Sequence, residues 1–308
     1  MTRVQDTAQT RPGAEHEKPR SKGDGRIKWI TPQWLRDHKD EHDLLVIDVQ
    51  PNVHDYLSCH IPGAVYMNEG MFRGCSTLPT AWLPPSKVAP LLQGIGLVSG
   101  QPVVVYTSPG PLSACRKYLG DGLEQTMVAY TLARYGHPSV YVLDGGLVRW
   151  QEEDLPTDQR LPLVRDSDFT TKVDRDLFVG YDEFVALKDR DDVVLLDARP
   201  PAIYAGQGPW PKPGHIPGAV NLPWSSFMDA KNRALLRPEE EIVPLVQAAG
   251  ATPDKTILCY CGTGREATNE FILFKWYLGY PRVKLFEGSF TEWTAHPENP
   301  TVTGDHPR

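Results

Sequence analysis

His60-Ile61-Pro62-Gly63-Ala64-Val65 returns unchanged 155 residues later as His215-Ile216-Pro217-Gly218-Ala219-Val220. Working outward, Pro84, Pro90, Leu91, Gln93 and Gly96 match Pro238, Pro244, Leu245, Gln247 and Gly250 at an offset of 154, and 103–106 matches 257–260. At an offset of 143, Gly136, Pro138, Val140, Gly145 and Trp150 match Gly279, Pro281, Val283, Gly288 and Trp293. Three ordered blocks of this kind mark a tandem duplication of a unit of about 130 residues, far longer than a solenoid repeat. The 308 residues therefore hold two domains.

Inside each unit, short apolar runs alternate with amphipathic stretches, the pattern of an α/β domain with a mainly parallel sheet flanked by helices on both faces. Buried strands are predicted at 44–49, 103–107 and 140–143, and in the second copy at 193–197, 256–260 and 283–286. Helices are predicted at 32–40, 86–95 and 123–135, then at 181–189, 239–249 and 265–278; Glu239-Glu240-Glu241 after Pro238 places acids at a positive helix end. The expected division is a disordered segment 1–25, a first domain 26–153, a linker 154–176 rich in Asp, Arg, Pro and Thr, and a second domain 177–308.

Composition excludes several classes. A net charge of −7 argues against broad nucleic-acid or anionic-lipid binding. No apolar run is long enough to cross a membrane, and residues 1–25 lack the apolar core of a secretory signal. Five cysteines are not a disulfide framework and fit a reducing, cytoplasmic setting.

One of those cysteines is placed for chemistry. The strand at 256–260 runs into Cys261-Gly262-Thr263-Gly264-Arg265-Glu266, followed by a helical period. Two glycines permit a tight loop whose N–H groups converge as an anion nest, with the next helix presenting its positive end there. Such surroundings, with Arg265 beside them, are expected to lower the Cys261 pKa and make a nucleophile.

Together with Asp197-Ala198-Arg199 at a strand end and Gly214–Ala219, this six-residue loop resembles the two-domain rhodanese (sulfurtransferase) superfamily from about Lys28 to Gly304. The resemblance implies a catalytic second domain with Cys261 as nucleophile and Gly262, Thr263, Gly264, Arg265 and Glu266 cradling the sulfur. It also implies a ping-pong reaction: the thiolate takes a sulfane sulfur from a small anionic donor, and a persulfide passes it to cyanide, a thiol or a thioredoxin-like acceptor. No cofactor beyond the covalent persulfide, no metal, no nucleic acid and no membrane enters this reading. Rhodanese-like phosphatases need a longer loop with Arg six residues after Cys; Ala267 stands there, which speaks against phosphatase chemistry, and arsenate reduction has no specific support.

The donor stays open. Cys-Gly-Thr-Gly is similar to mercaptopyruvate enzymes, in which the hydroxyl at the position of Thr263 joins a proton relay. The Arg that grips the donor in two-domain relatives is replaced by Ile203, with Lys212 a candidate substitute, and Glu266 adds a negative charge. Thiosulfate, mercaptopyruvate and a persulfide all remain. In the first copy Thr107 aligns with Cys261 and Gln50 with Arg199, so that domain is read as silent, with the insertion 108–120 shaping the cleft.

Plainer readings stand beside these. Asp197 with Arg199 forms a supporting ion pair or touches substrate; His60 and His215, present in both copies, favour turn hydrogen bonds over acid–base work. Cys259 favours core packing over a resolving role, Cys115 beside Arg116 and Lys117 is a candidate surface thiol, and Cys59 and Cys75 read as idle. The main alternative to an enzyme is a protein-persulfide carrier or regulatory module with little small-donor turnover.

Overall fold

The computed structural model describes residues 18–40, 43–74, 81–109 and 120–307. The strands are β1 (Ile27–Ile30), β2 (Leu45–Asp48), β3 (Val65–Tyr66), β4 (Val103–Tyr106) and β5 (Val140–Leu143), then β6 (Phe178–Val179), β7 (Val193–Asp197), β8 (Val220–Asn221), β9 (Thr256–Tyr260) and β10 (Val283–Phe286). The helices are α1 (Pro32–His38), α2 (Val53–Ser58), α3 (Pro85–Gly94), α4 (Leu123–Arg134), α5 (Gly146–Glu152), α6 (Tyr181–Leu187), α7 (Glu239–Ala248), α8 (Glu266–Ile272) and α9 (Ser289–Ala295). They build two five-stranded sheets of the same order, β1-β5-β4-β2-β3 and β6-β10-β9-β7-β8, parallel throughout.

The pleat sorts side chains into layers. Along β4, Val103 and Val105 join one apolar cluster while Val104 and Tyr106 join another; along β9, Ile257 and Cys259 face one way and Leu258 and Tyr260 the other. The faces bearing Val103 and Ile257 share a single core with α3, α4, α7 and α8, which fuses the domains. The opposite faces are covered separately, by Trp34, Leu35 and Trp150 in the first domain and by Phe184, Phe290 and Trp293 in the second. Each sheet thus has helices on both faces, as expected.

Duplication is visible in the hydrogen bonds. The Tyr106 and Tyr260 hydroxyls accept from Ile61 N at 3.0 Å and Ile216 N at 3.1 Å. His60 and His215, both fully buried, stack on Tyr56 and Tyr204 and pair through their backbones with Asp158 and Val302. These histidines secure the chain that leaves the last helix of each copy, consistent with their turn reading.

The disordered segment expected through residue 25 is corrected for residues 18–25. Arg20 exchanges backbone hydrogen bonds with Trp29, and Lys22 N, Gly23 N and Ser21 Oγ all donate to Trp276 O. That carbonyl is available because α8 continues as a π-helical turn, Leu273–Tyr277, which ends there. The linker is packed as well: Phe169 is 2% exposed, and Lys172 N and Asp174 N donate to Tyr135 O and Arg134 O. Most of the 108–120 insertion, with Cys115, and Cys75 lie outside the described residues.

Candidate active site

Cys261 follows β9 directly and continues the alternation of Ile257 and Cys259, so its side chain faces the core shared with the first domain. It is fully buried. Gly264 N donates to Cys261 Sγ at 3.0 Å, and Thr263 N and Ala267 N also act on the sulfur. Cys261 N in turn donates to Ser289 Oγ at 3.2 Å, and Cys261 O accepts from Phe290 N at 2.9 Å. The loop is an N–H nest around sulfur, held from behind by the start of α9.

Steric demand explains both glycines. A side chain on Gly262 would meet the Trp210 ring at 2.5 Å, and Trp210 Nε1 is fixed by Thr291 Oγ1 at 2.9 Å, which itself donates to Gly262 O at 2.8 Å. Gly264 has φ +81°, and a Cβ there would lie 2.8 Å from Glu287 O. Trp210 comes from the Pro-rich insert 208–213, where Lys212 was the expected substitute cation. Lys212 Nζ is instead used on the carbonyls of His296, Pro297 and Asn299, at 3.0, 2.7 and 2.6 Å. Short acceptor spacing in that tail, not an anion, has claimed its three donors.

The thiol pKa runs opposite to the expectation. Burial, followed by the Glu266 charge, pushes Cys261 up to about 12, against the pull of the Ala267 and Thr263 N–H groups. The nest is present, yet the sulfur is fully desolvated and has an acid as neighbour. Glu266 acts on Cys261 through its charge, and burial together with Asp197 raises its own carboxyl to about 7. Deeper in α8, Glu270 is fully buried with neither oxygen hydrogen-bonded among the described residues, and burial drives it well above the carboxylate range. Cys259 is pushed up by burial and by Glu270, which suits a packing thiol.

Arg265 does not attend the sulfur. Its guanidinium crosses to the first domain, where Nε reaches Glu69 Oε1 at 2.6 Å, Nη1 and Nη2 hold Asp121 at 2.6 and 3.0 Å, and Nη2 reaches Glu124 at 3.2 Å. The expectation of a thiolate partner fails because three first-domain carboxylates outcompete one buried thiol. Arg73, unmarked in the sequence reading, comes from the first domain instead, and its Nη1 donates to Thr263 O at 2.6 Å. Nothing in the local sequence around Arg73 signals this; only the docking of the two copies brings it there. The Thr263 side chain is exposed, with no hydrogen bond from its hydroxyl among the described residues.

Asp197 and Arg199 form a buried pair at 2.6 Å, with Arg199 Nη2 also donating to Gly214 O at 2.9 Å. It ties the strand-end motif to the Gly214–Ala219 stretch, with Arg199 Cδ 3.8 Å from where a Cβ on Gly262 would be. His215 sits nearby with Nδ1 3.0 Å from Tyr204 O and Nε2 3.1 Å from His306 O. In the first copy, Gln50 reproduces the bracing without charge: its N and Nε2 donate to Asp48 at 2.9 Å. Thr107, in the place of Cys261, is fully buried and donates to Glu124 Oε2 at 3.1 Å. Among the described residues no His, Cys, Asp and Glu cluster could hold a metal, and no helix is long and apolar enough to cross a membrane.

Comparison with known proteins agrees with this architecture. The model of the rhodanese-like domain family matches residues 31–153 and 181–296. The chain is 33% identical to a putative thiosulfate sulfurtransferase of Synechococcus elongatus, with 87% of this chain and 83% of that protein covered. It is 27% identical to 3-mercaptopyruvate sulfurtransferase of Escherichia coli, over 88% of this chain and 96% of the relative. The anaerobic ergothioneine biosynthesis enzyme from Chlorobium limicola shares the fold at a TM-score of 0.79 and 23% identity, covering 91% of this chain and 70% of that one. Two tandem matches over most of the chain, with sulfurtransferases as full-length relatives, make it a member of the rhodanese-like family and a sulfurtransferase.

Proposed function

We propose that the sulfur travels on Cys261 as a persulfide, taken from a small anionic donor, thiosulfate or 3-mercaptopyruvate, and given to cyanide, a thiol or a thioredoxin-like protein. The observation that carries this reading is the Gly264 N–H aimed at Cys261 Sγ from 3.0 Å, inside a loop where further N–H groups converge. Those donors meet charge as it develops on the sulfur, on the persulfide and on the departing anion.

With the thiol pushed up to about 12 a base is needed, and Glu266, whose charge acts on Cys261 and whose carboxyl is raised to about 7, is the candidate. In this reading the thiol proton passes to Glu266 as the Cys261 lone pair attacks the outer sulfur of the donor. The donor's bond to that sulfur breaks, its electron pair leaving on sulfite from thiosulfate or on the enolate of pyruvate from mercaptopyruvate. The acceptor then attacks the outer sulfur and Cys261 leaves as thiolate. No dissociable cofactor is required. The first domain serves as a silent wall, since Thr107 and Gln50 replace the nucleophile and the bracing Arg. The free Cys59, Cys259 and Cys261 are in keeping with a reducing compartment such as the cytoplasm.

Intact-mass measurement after incubation with thiosulfate or mercaptopyruvate tests the reading. One added sulfur is expected on the wild-type protein and none on Cys261→Ser. Label on the Ser variant would move the chemistry elsewhere, and label only from a protein persulfide would make the chain a carrier.

A further inference from the structure

The two copies clasp each other reciprocally. In each, a 3-10 turn, Glu69–Phe72 or Trp224–Phe227, leads into an antiparallel bridge, Arg73 with Trp82 or Met228 with Leu236. The second-copy segment covers the strand ends of the first domain: Ala234 O accepts from Gly145 N and Gln125 Nε2, both at 3.0 Å, and Asn232 Nδ2 donates to Gly145 O at 2.8 Å. The first-copy segment covers the Cys261 loop, through Arg73 and Thr263 O. Clasping alone needs no charge, since Met228 takes the equivalent place in the other half, its sulfur accepting from Asn269 Nδ2 at 3.7 Å.

Among the described residues, Arg73 carries a charge with no carboxylate in ion-pair contact. Arg134 is bound to Glu287, Arg199 to Asp197, and Arg265 to three carboxylates. Arg73 has no ion pair among the described residues: Nη1 is on a backbone carbonyl, Nη2 is 3.5 Å from Met127 Sδ, and Nε is buried without a hydrogen-bond partner. Its plane is set by the Trp82 ring, 5.1 Å from the guanidinium carbon. Nη2 also lies 3.6 Å from where a Cβ on Gly264 would be, beside the N–H that meets Cys261 Sγ. Burial lowers its pKa, against the pull of Cys261 and of the Glu69 and Glu287 carboxylates. An under-neutralised guanidinium fork over a nucleophilic sulfur is a receptor for a planar or tetrahedral oxyanion.

We infer that Arg73, supplied by the first domain, grips the anionic end of the sulfur donor and sets the preference of the Cys261 site for charged donors. The sulfonate end of thiosulfate or the carboxylate of mercaptopyruvate pairs with the free edge of Arg73, which leaves the outer sulfur to Cys261. This rests on the persulfide reading of Cys261. It supplies a cation for a site in which Ile203 and Lys212 provide none, and gives the clasp of the silent copy a chemical purpose.

The test compares Arg73→Met, which copies the residue of the other half, with Arg73→Lys. With thiosulfate or mercaptopyruvate, Arg73→Met should lower kcat/KM about 30-fold, chiefly through KM, and Arg73→Lys should restore part of it. With dimethyl trisulfide, a neutral sulfane donor, the loss should stay under about threefold. Equal losses for charged and neutral donors would make Arg73 a prop for the loop and overturn the inference, as would no loss at all. Calorimetric binding of thiosulfate to Cys261→Ser provides a readout without turnover, and adding Arg73→Met should weaken it at least about tenfold. Binding that ignores Arg73 overturns the inference. Binding that depends on Arg73 in a protein whose wild type forms no persulfide would uphold it and reject the persulfide reading.

Discussion

Arg265 holds Asp121 with both terminal nitrogens across the domain boundary, at 2.6 and 3.0 Å, although only three residues separate it from Cys261. The same guanidinium reaches Glu69 and Glu124, so this side chain ties the Cys261 loop to the first domain. Arg265→Ala leaves Glu124, 2% exposed, without its cation. It is expected to cost about 3 kcal/mol, between an exposed and a buried ion pair, and to lower Tm by roughly 5 to 10 °C. Asp121→Asn, at a more exposed partner, should cost less. Thermal unfolding followed by calorimetry checks both, and an unchanged Tm for Arg265→Ala would remove the clamp from the account.

Glu266 gives two opposing expectations on one variant. Its charge is the second cause, after burial, of the raised Cys261 pKa, so Glu266→Gln should bring the thiol below about 12. If Glu266 is the base, persulfide formation should nevertheless slow about 100-fold and lose its rise through pH 7. Iodoacetamide alkylation against pH reads the first effect and rapid-quench persulfide formation the second. A faster persulfide step would show Glu266 to be only a repulsive neighbour.

The same carboxyl affects stability with a definite sign. Its folded value of about 7 lies above the ordinary 4.5 of a glutamate, so the native state binds its proton more tightly than the unfolded chain. That contribution is complete below about 4.5 and is lost as pH rises through about 7. Glu266→Gln should flatten the stability profile of the wild type in that window, as measured by urea unfolding; an unaltered slope would mean that the group titrates normally.

What the sequence disclosed and what it concealed follow one division. Strands such as 103–106 and 256–260 are legible because parallel sheets bury continuous apolar runs, and the glycines of the Cys261 loop announce a turn. The two-residue strands β3, β6 and β8 carry too few residues for any period. Helix α4 reads as half exposed, with Glu124, Gln125, Thr126, Thr131 and Arg134, yet all twelve of its residues are buried. Its polar side chains serve the other domain: Tyr130 Oη and Arg134 reach Glu287 at 2.6 to 3.0 Å. The roles of Arg73 and Arg265 are decided by how the copies dock, which no local pattern encodes, whereas the thiol pKa is set by burial and by Glu266, which outweigh the N–H nest.

Trp210 makes a prediction from shape alone. Since its ring fills the space of a Gly262 side chain, Gly262→Ala must displace either the indole or the loop. Overpacking of this kind costs about 1 to 3 kcal/mol, and the displaced loop should lose persulfide formation. Trp210→Ala removes the obstacle, so the double variant should recover much of what Gly262→Ala alone loses. If the double variant is as impaired as the single one, room beside Trp210 is not what the glycine provides.

The duplication supplies its own control at Arg199. Gln50 in the first copy shows that a neutral amide can hold the equivalent carboxylate, there Asp48, whose pKa burial raises to about 6. Arg199→Gln should leave Asp197 hydrogen-bonded to an amide, as Asp48 is to Gln50. Removing one partner of a fully buried pair costs about 3 to 5 kcal/mol, but the amide retains hydrogen bonding, so about 2 kcal/mol is expected. Equilibrium unfolding in urea compares Arg199→Gln with Arg199→Ala, which keeps no donor and should lose more. Equal losses for the two would show that Arg199 supports the fold through packing against Phe290 and Trp210, 4.2 and 5.3 Å from its guanidinium carbon, and not through its hold on Asp197.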